Sequence, residues 1–110
     1  MSRYRAVLDA DRRICLLRSL CGMPGSRANH LVLYEVLAGL GHAVSLDTLL
    51  GDLAWLADLG LVTCDCLQPG GGGCTVATLS PRGRDVALGR AVAPGVRRPL
   101  PGDAPDPEAL

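Results

Sequence analysis

The reactive groups of this chain are five thiols, two imidazoles and eleven guanidinium groups, with no lysine amine. Cys64, Cys66 and Cys74 could bring three thiolates to one hairpin. Zinc sites usually take four ligands, commonly from closely spaced cysteine pairs. No second pair follows Cys64-Asp65-Cys66, and His30 and His42 belong to other segments. Cys64 and Cys66 share a strand face with Val62, so they read as small core residues, and no metal site is expected. Gly70 to Gly73 lack the Lys-Ser/Thr of a phosphate loop and open a strand rather than a helix. No nucleophile motif is present. The expectation is a non-enzymatic chain with no catalytic residues, no cofactor and no small-molecule substrate.

The more informative chemistry is charge. All eleven cations are Arg, and they cluster at 3, 5, 12, 13, 18 and 27, then at 82, 84, 90, 97 and 98. Between Ala28 and Pro81 the charged residues are Glu35, Asp47, Asp52, Asp58 and Asp65, five negative groups and no positive one. The net charge of the whole chain is zero, so no global field favours nucleic acid or a membrane surface. Nucleic-acid contacts would have to come from Arg27, Ser45, Thr48, Arg82, Arg84, Arg97 and Arg98. A protein-facing surface could instead use Asp47, Gly51, Asp52, Trp55 and Asp58.

Those residues must be positioned by the elements around them. Val7, Ala10, Ile14, Leu17 and Cys21 recur at helical spacing, flanked by Leu16 and Leu20. Gly22-Met23-Pro24-Gly25 stops that helix. Ser26 or Asn29 can cap a second helix, to about Leu40, with a stripe of Leu33, Val36, Leu37 and Leu40. His42 to Val44 reads as a brief extended piece. Ser45 caps a third helix, Leu46 to Leu59, closed by Gly60. Leu61 to Leu67 and Cys74 to Leu79 read as a hairpin with a glycine tip. Ser80-Pro81 offers cap and first-turn chemistry for a fourth helix, to about Arg90. The last 20 residues hold five Pro and read as an extended or disordered tail.

On a helical wheel, Leu46, Leu49, Leu50, Leu53, Leu56 and Ala57 of the third helix fall in one arc. Asp47, Thr48, Gly51, Asp52, Trp55 and Asp58 fall in the other. Base-reading side chains are mostly Arg, Lys, Asn and Gln, and this helix has none. Phosphates would repel its aspartates. Trp55 is the one Trp of the chain; set outward beside the notch at Gly51, it reads as a docking anchor. Alternatively, it covers the edge of the first helix or the hairpin.

Two helices, a short strand, a third helix, a hairpin and a fourth helix make a winged helix-turn-helix: mainly α with a small β-hairpin, in the order H1-H2-S1-H3-S2-wing-S3-H4. Residues 1–90 would be the domain and 91–110 the tail. WLADLGLVTCD and VATLSPRGRDVALGR resemble winged-helix regulators of the ArsR and MarR type. RANHLVLYEVLAGLGHAVS, LAWLADLGLV and GRAVAPGVRRP more closely resemble a family of small proteins of Mu-like phages and prophages. That resemblance spans roughly Ile14 to Pro99 and implies a DNA-binding transcriptional regulator. In metal-sensing ArsR-type proteins a Cys-x-Cys pair lies on the recognition helix; here Cys64 and Cys66 follow it on a strand.

Two functions are therefore expected alternatives: a regulator that grips phosphates through terminal Arg residues, or a protein adaptor or DNA mimic using the acidic face. DNA, a protein partner or a second copy would be the partner. The odd cysteine count and the absence of a leader-like or long apolar run point to reduced thiols, no membrane partner and a cytoplasmic location.

Overall fold

A computed structural model describes residues 3–67 and 73–100. The glycine tip at 68–72 and the tail at 101–110, on which two of the expectations above fall, lie outside the described residues. The described chain is mainly helical, with a small antiparallel sheet. Its elements are α1 (Arg3–Cys21), a 3-10 turn (Pro24–Ser26), β1 (Arg27–Asn29), α2 (His30–Gly39), α3 (Leu46–Asp58), β2 (Val62–Leu67), β3 (Cys74–Leu79) and α4 (Pro81–Ala87).

The second half of α1 runs through the centre of the fold. Ile14, Leu16, Leu17 and Leu20 are sealed from solvent against Leu33 and Leu37 of α2, Leu49, Leu53 and Leu56 of α3, and Val86 of α4. At this level α1 buries apolar side chains around most of its circumference, with Arg18 and Ser19 half-buried between them, as a core helix does. Its first turns differ: Tyr4, Val7 and Leu8 are exposed. The α1 stripe therefore packs only from Ile14 onward. In α2, Leu33 and Leu37 are buried as the spacing predicts, while Leu40 is exposed.

Each later helix begins on a side-chain cap. Asn29 Oδ1 accepts from Val32 N (2.9 Å), Ser45 Oγ from Thr48 N (3.1 Å), and Ser80 Oγ from Gly83 N (2.9 Å). Each satisfies one orphan N–H, a contribution of about 1 kcal/mol. Ser80 Oγ also donates to Gly60 O (2.6 Å), tying the start of α4 to the end of α3. Gly83 makes that junction tight: a Cβ there would lie 1.9 Å from Leu61 O.

The sheet order is β1-β3-β2 and both pairings are antiparallel. Ala77 sits between Ala28 and Cys64, and Leu79 faces Val62. From Thr63 to Leu67 every residue of β2 is exposed, so the outer half of the hairpin carries no core.

The short strand departs from the expected order. It lies before α2, at Arg27–Asn29, not at His42–Val44. The central strand β3 has both edges taken, by β1 and β2, so no edge remains for 42–44. Asn29 ends β1 and caps α2 at once, which is why three residues suffice. His42 instead closes α2: its N–H donates to Leu37 O (2.8 Å), and its side chain turns inward.

Residues 91–100 also depart from expectation. They have no helix or strand, but they are docked. Ala93 and Val96 are buried with the core, and Arg97 N donates to Ala10 O (3.1 Å). The folded body thus continues past Arg90. No described helix is long and apolar enough to cross a membrane.

Candidate functional site: an ionic seam between α1, α3 and the C-terminal segment

Two sides of α1 carry the charged and thiol groups: Asp9, Arg12 and Arg13 lie on one side, toward Asp52 and Trp55 of α3, and Asp11 and Cys15 lie on another, toward His42 and Arg97. Arg12 lies under α3. Its guanidinium binds both carboxylate oxygens of Asp52, by a short bond from Nε and a 3.1 Å bond from Nη2, and a further 2.8 Å bond joins Nη2 to Asp9. Arg12 is 7% exposed and Asp52 5%. Its hydrogen bonds to Asp52 hold Arg12 protonated more firmly than an ordinary guanidinium, outweighing the opposing effect of burial.

Arg13 extends the seam. Its Nε lies 3.5 Å from Asp52, its guanidinium carbon lies 3.9 Å from the centre of the Trp55 ring, and its Nη1 donates to Gly95 O (3.0 Å). This is a cation–π contact closed by a carbonyl. Gly95 has φ 86°, and a Cβ there would lie 2.8 Å from the indole Cη2. The C-terminal segment therefore lies against the indole, with Arg13 over its ring.

Asp11 forms the second cluster. Its Oδ1 accepts from Arg97 Nε (2.7 Å), while its Oδ2 meets His42 Nε2 (2.7 Å) and Cys15 Sγ (3.9 Å). Burial pushes the Asp11 carboxyl up, but the hydrogen bonds and charges of His42 and Arg97 prevail and hold it below the usual carboxylate range. The Cys15 thiol is pushed up, first by burial and then by the Asp11 charge. A thiol that faces a carboxylate in this way is not an activated nucleophile. Asp11, Cys15 and His42 offer donor atoms within 4.8 Å of one another, the one such group of His, Cys, Asp and Glu among the described residues.

The residues singled out in the sequence fall into two sets. Among the candidate phosphate contacts, Arg27, Arg82 and Arg98 are exposed. Arg84 is half-buried and holds the turn after α1, donating to Ser26 Oγ and, at 3.4 Å, to Cys21 Sγ. Ser26 has φ 55°, a conformation rare outside Gly and Asn, and Arg84 braces it. Arg97 is held by Asp11. Ser45 serves as a cap, and its Oγ also donates to Thr48 Oγ1 (3.0 Å). Four of the seven, Ser45, Thr48, Arg84 and Arg97, thus have structural partners, and exposed Arg27, Arg82 and Arg98 lie on three different segments.

The protein-facing set is split as well. Asp47, Gly51 and Asp58 are exposed, and nothing lies within 4 Å of a Cβ placed on Gly51. Asp52 is buried and Trp55 is half-buried, so neither belongs to an open acidic surface. The wheel places them away from the leucines correctly, but α1 and the C-terminal segment cover that side. The exposed residues of α3 are Leu46, Asp47, Thr48, Gly51, Ala54 and Asp58, so Leu46 leaves the core arc on which the wheel placed it. Their only charges are negative. Cys64 and Cys66 are exposed residues rather than core, but the Cys64 sulfur tucks against Leu53 O (3.8 Å), and that partial burial, then the Asp65 charge, push its thiol up.

Sequence reasoning missed Asp9, Asp11, Arg12 and Arg13 as a seam, and His42 as its partner. The i, i+4 spacing of Asp11 and Cys15 was a readable signal; their partner 31 residues on from Asp11 was not.

Comparison with known proteins gives an origin rather than an activity. No family model matches the chain, and no solved structure matches it. The chain is 44% identical over 95 residues to the uncharacterized protein gp26 of Escherichia phage Mu, covering 86% of this chain and 94% of the relative. At that identity and coverage, the chain belongs to the family of the phage Mu protein gp26.

Proposed function

We propose that this chain is a non-enzymatic winged-helix protein that works through protein contacts, pairing with a second copy of itself. The winged-helix reading is supported by the element order: a helix, a short strand, two helices and a hairpin, with the first strand on the free edge of the hairpin. The observation that carries the functional reading is the apolar surface left open by α1 and α2. Tyr4 is 71% exposed, Val7 62% and Leu31 53%, with Leu8, Val32, Tyr34 and Leu40 also open. An apolar surface of this kind on a small domain marks a protein-binding face.

Charge favours a second copy as the occupant. Arg3 and Arg5 flank the apolar turns of α1, and Glu35 stands exposed on α2. A two-fold pairing repeats each contact, and one that sets α1 of one copy against α2 of the other would bring Arg3 and Arg5 to Glu35 of the second copy twice. The only charges on the exposed side of α3 are the negative Asp47 and Asp58, which supports a protein partner over DNA bases. The experiment is a charge swap. Glu35→Arg should weaken self-association, and adding Arg3→Glu and Arg5→Glu should restore it. Loss without restoration would reject this pairing.

A second reading, a DNA-binding regulator, is favoured by the same element order. It would rest on Arg27, Arg82 and Arg98, with a steep loss of affinity as salt rises. A mobility-shift assay at low salt decides it: no retarded complex would eliminate this reading.

A further inference from the structure

We propose that Asp11, Cys15 and His42 form a binding site for a divalent transition-metal ion of the zinc type. Asp11 and Cys15 are one helical turn apart on α1, and so project from the same face. His42 is delivered by the turn after α2. Gly41, at φ 94°, makes that turn, and the bond from His42 N to Leu37 O fixes it.

The donor set suits such an ion. Thiolate and imidazole select zinc, cobalt and their neighbours over magnesium and calcium, and the carboxylate completes a common mixed set. Around a tetrahedral zinc the donor atoms stand about 3.3–3.8 Å apart, given bonds of about 2.0–2.3 Å. Here the Asp11 Oδ2 to Cys15 Sγ distance is 3.9 Å and the Oδ2 to His42 Nε2 distance is 2.7 Å. The first lies just beyond the upper end of that range, the second must lengthen by about 0.6 Å to reach its lower end, and all three donor atoms already lie within 4.8 Å of one another.

The outer contacts fit too. Arg97 occupies Asp11 Oδ1, which leaves Oδ2 as the atom presented to His42 and Cys15. Partners of this kind orient metal-binding carboxylates and tune affinity. Cys15 also lines an open cleft with Arg18, Ser19, Val36 and Leu40, through which an ion and a water ligand can enter. Binding forms a metal–sulfur bond and releases the thiol proton to solvent. The ion replaces the hydrogen bonds that now join α1 to the α2–α3 connection, and Arg97 links the site to the C-terminal segment. Metal occupancy would therefore stiffen the seam between these three parts.

The test is a titration of the reduced full chain with cobalt(II). A thiolate-to-cobalt charge-transfer band should appear at one equivalent. It should persist in the Cys64→Ser/Cys66→Ser/Cys74→Ser variant and vanish in Cys15→Ser. Arg97→Gln should weaken binding roughly ten- to hundredfold. In the unaltered chain, zinc should shift the Nε2 resonance of His42 and leave His30 unmoved, since His30 Nδ1 accepts from Thr75 N (3.1 Å). The histidine measurement stands even where Cys15→Ser does not fold. No band, a band that survives Cys15→Ser, or an unmoved His42 resonance would each overturn the proposal.

Discussion

Replacing Asp52 by Ala should be among the most damaging single changes on α3, although a wheel places Asp52 on the polar side. The substitution leaves the Arg12 guanidinium 7% exposed, with Asp9 as its remaining partner. Asp9 is partly exposed and bound through Nη2 alone, so it cannot replace the two-oxygen contact of Asp52. Removing one member of a buried ion pair costs about 3–5 kcal/mol. Asp9 offsets part of that, so about 3 kcal/mol is expected. For a domain of this size the melting temperature should then fall by roughly 12–20 °C. Circular dichroism during thermal and urea unfolding reads both quantities. The cause is separable, because Arg12→Met in the Asp52→Leu background removes both charges and fills similar volume. That pair should recover most of the stability. A loss under about 1 kcal/mol for Asp52→Ala, or no recovery in the double variant, would refute the reading of Arg12 and Asp52 as a coupled buried pair.

Other consequences follow from the same packing. Gly83→Ala should destabilise by at least 1–3 kcal/mol, roughly the range for overpacking, because its methyl would collide with the Leu61 carbonyl; equilibrium unfolding measures this. Deleting residues 92–110 should uncover Trp55, moving its emission to longer wavelength and increasing quenching by iodide; an unchanged spectrum would mean that the segment does not cover the indole. The Asp11 carboxyl is held below its unfolded value, so its contribution to stability is whole above about pH 4 and is lost as pH falls through the folded value. Asp11→Asn should therefore lower stability at neutral pH and flatten the acid side of the stability profile followed by urea unfolding.

Local chemistry made much of this fold legible in the sequence. Asn29, Ser45 and Ser80 announce three helix starts, and Gly60 announces a helix end, because caps and left-handed turns depend on neighbours in the chain. The two hairpin strands are readable from alternation and bounding turns. Contacts between distant segments were less visible. A three-residue strand at Arg27–Asn29 has no periodicity to detect, and its evidence is the edge of β3, nearly 50 residues away. The wheel ranks Asp52 and Trp55 by angle about their own helix axis, but their burial is decided by Arg12, Arg13 and Gly95. Charge counting erred for the same reason: one of five acids between Ala28 and Pro81 is neutralised inside the fold. A Pro-rich composition correctly signalled the absence of helix and strand in residues 91–100, and said nothing about docking, which rests on Ala93, Val96 and the paired Arg97.

Self-association through α1 and α2 is the central claim, and sedimentation velocity of the full chain over a range of concentrations tests it most directly. The account predicts a two-copy species that dissociates on dilution and is lost in Val7→Asp with helix content unchanged. A single monomeric species at every concentration, up to roughly the high micromolar range where weak pairs still form, would contradict it.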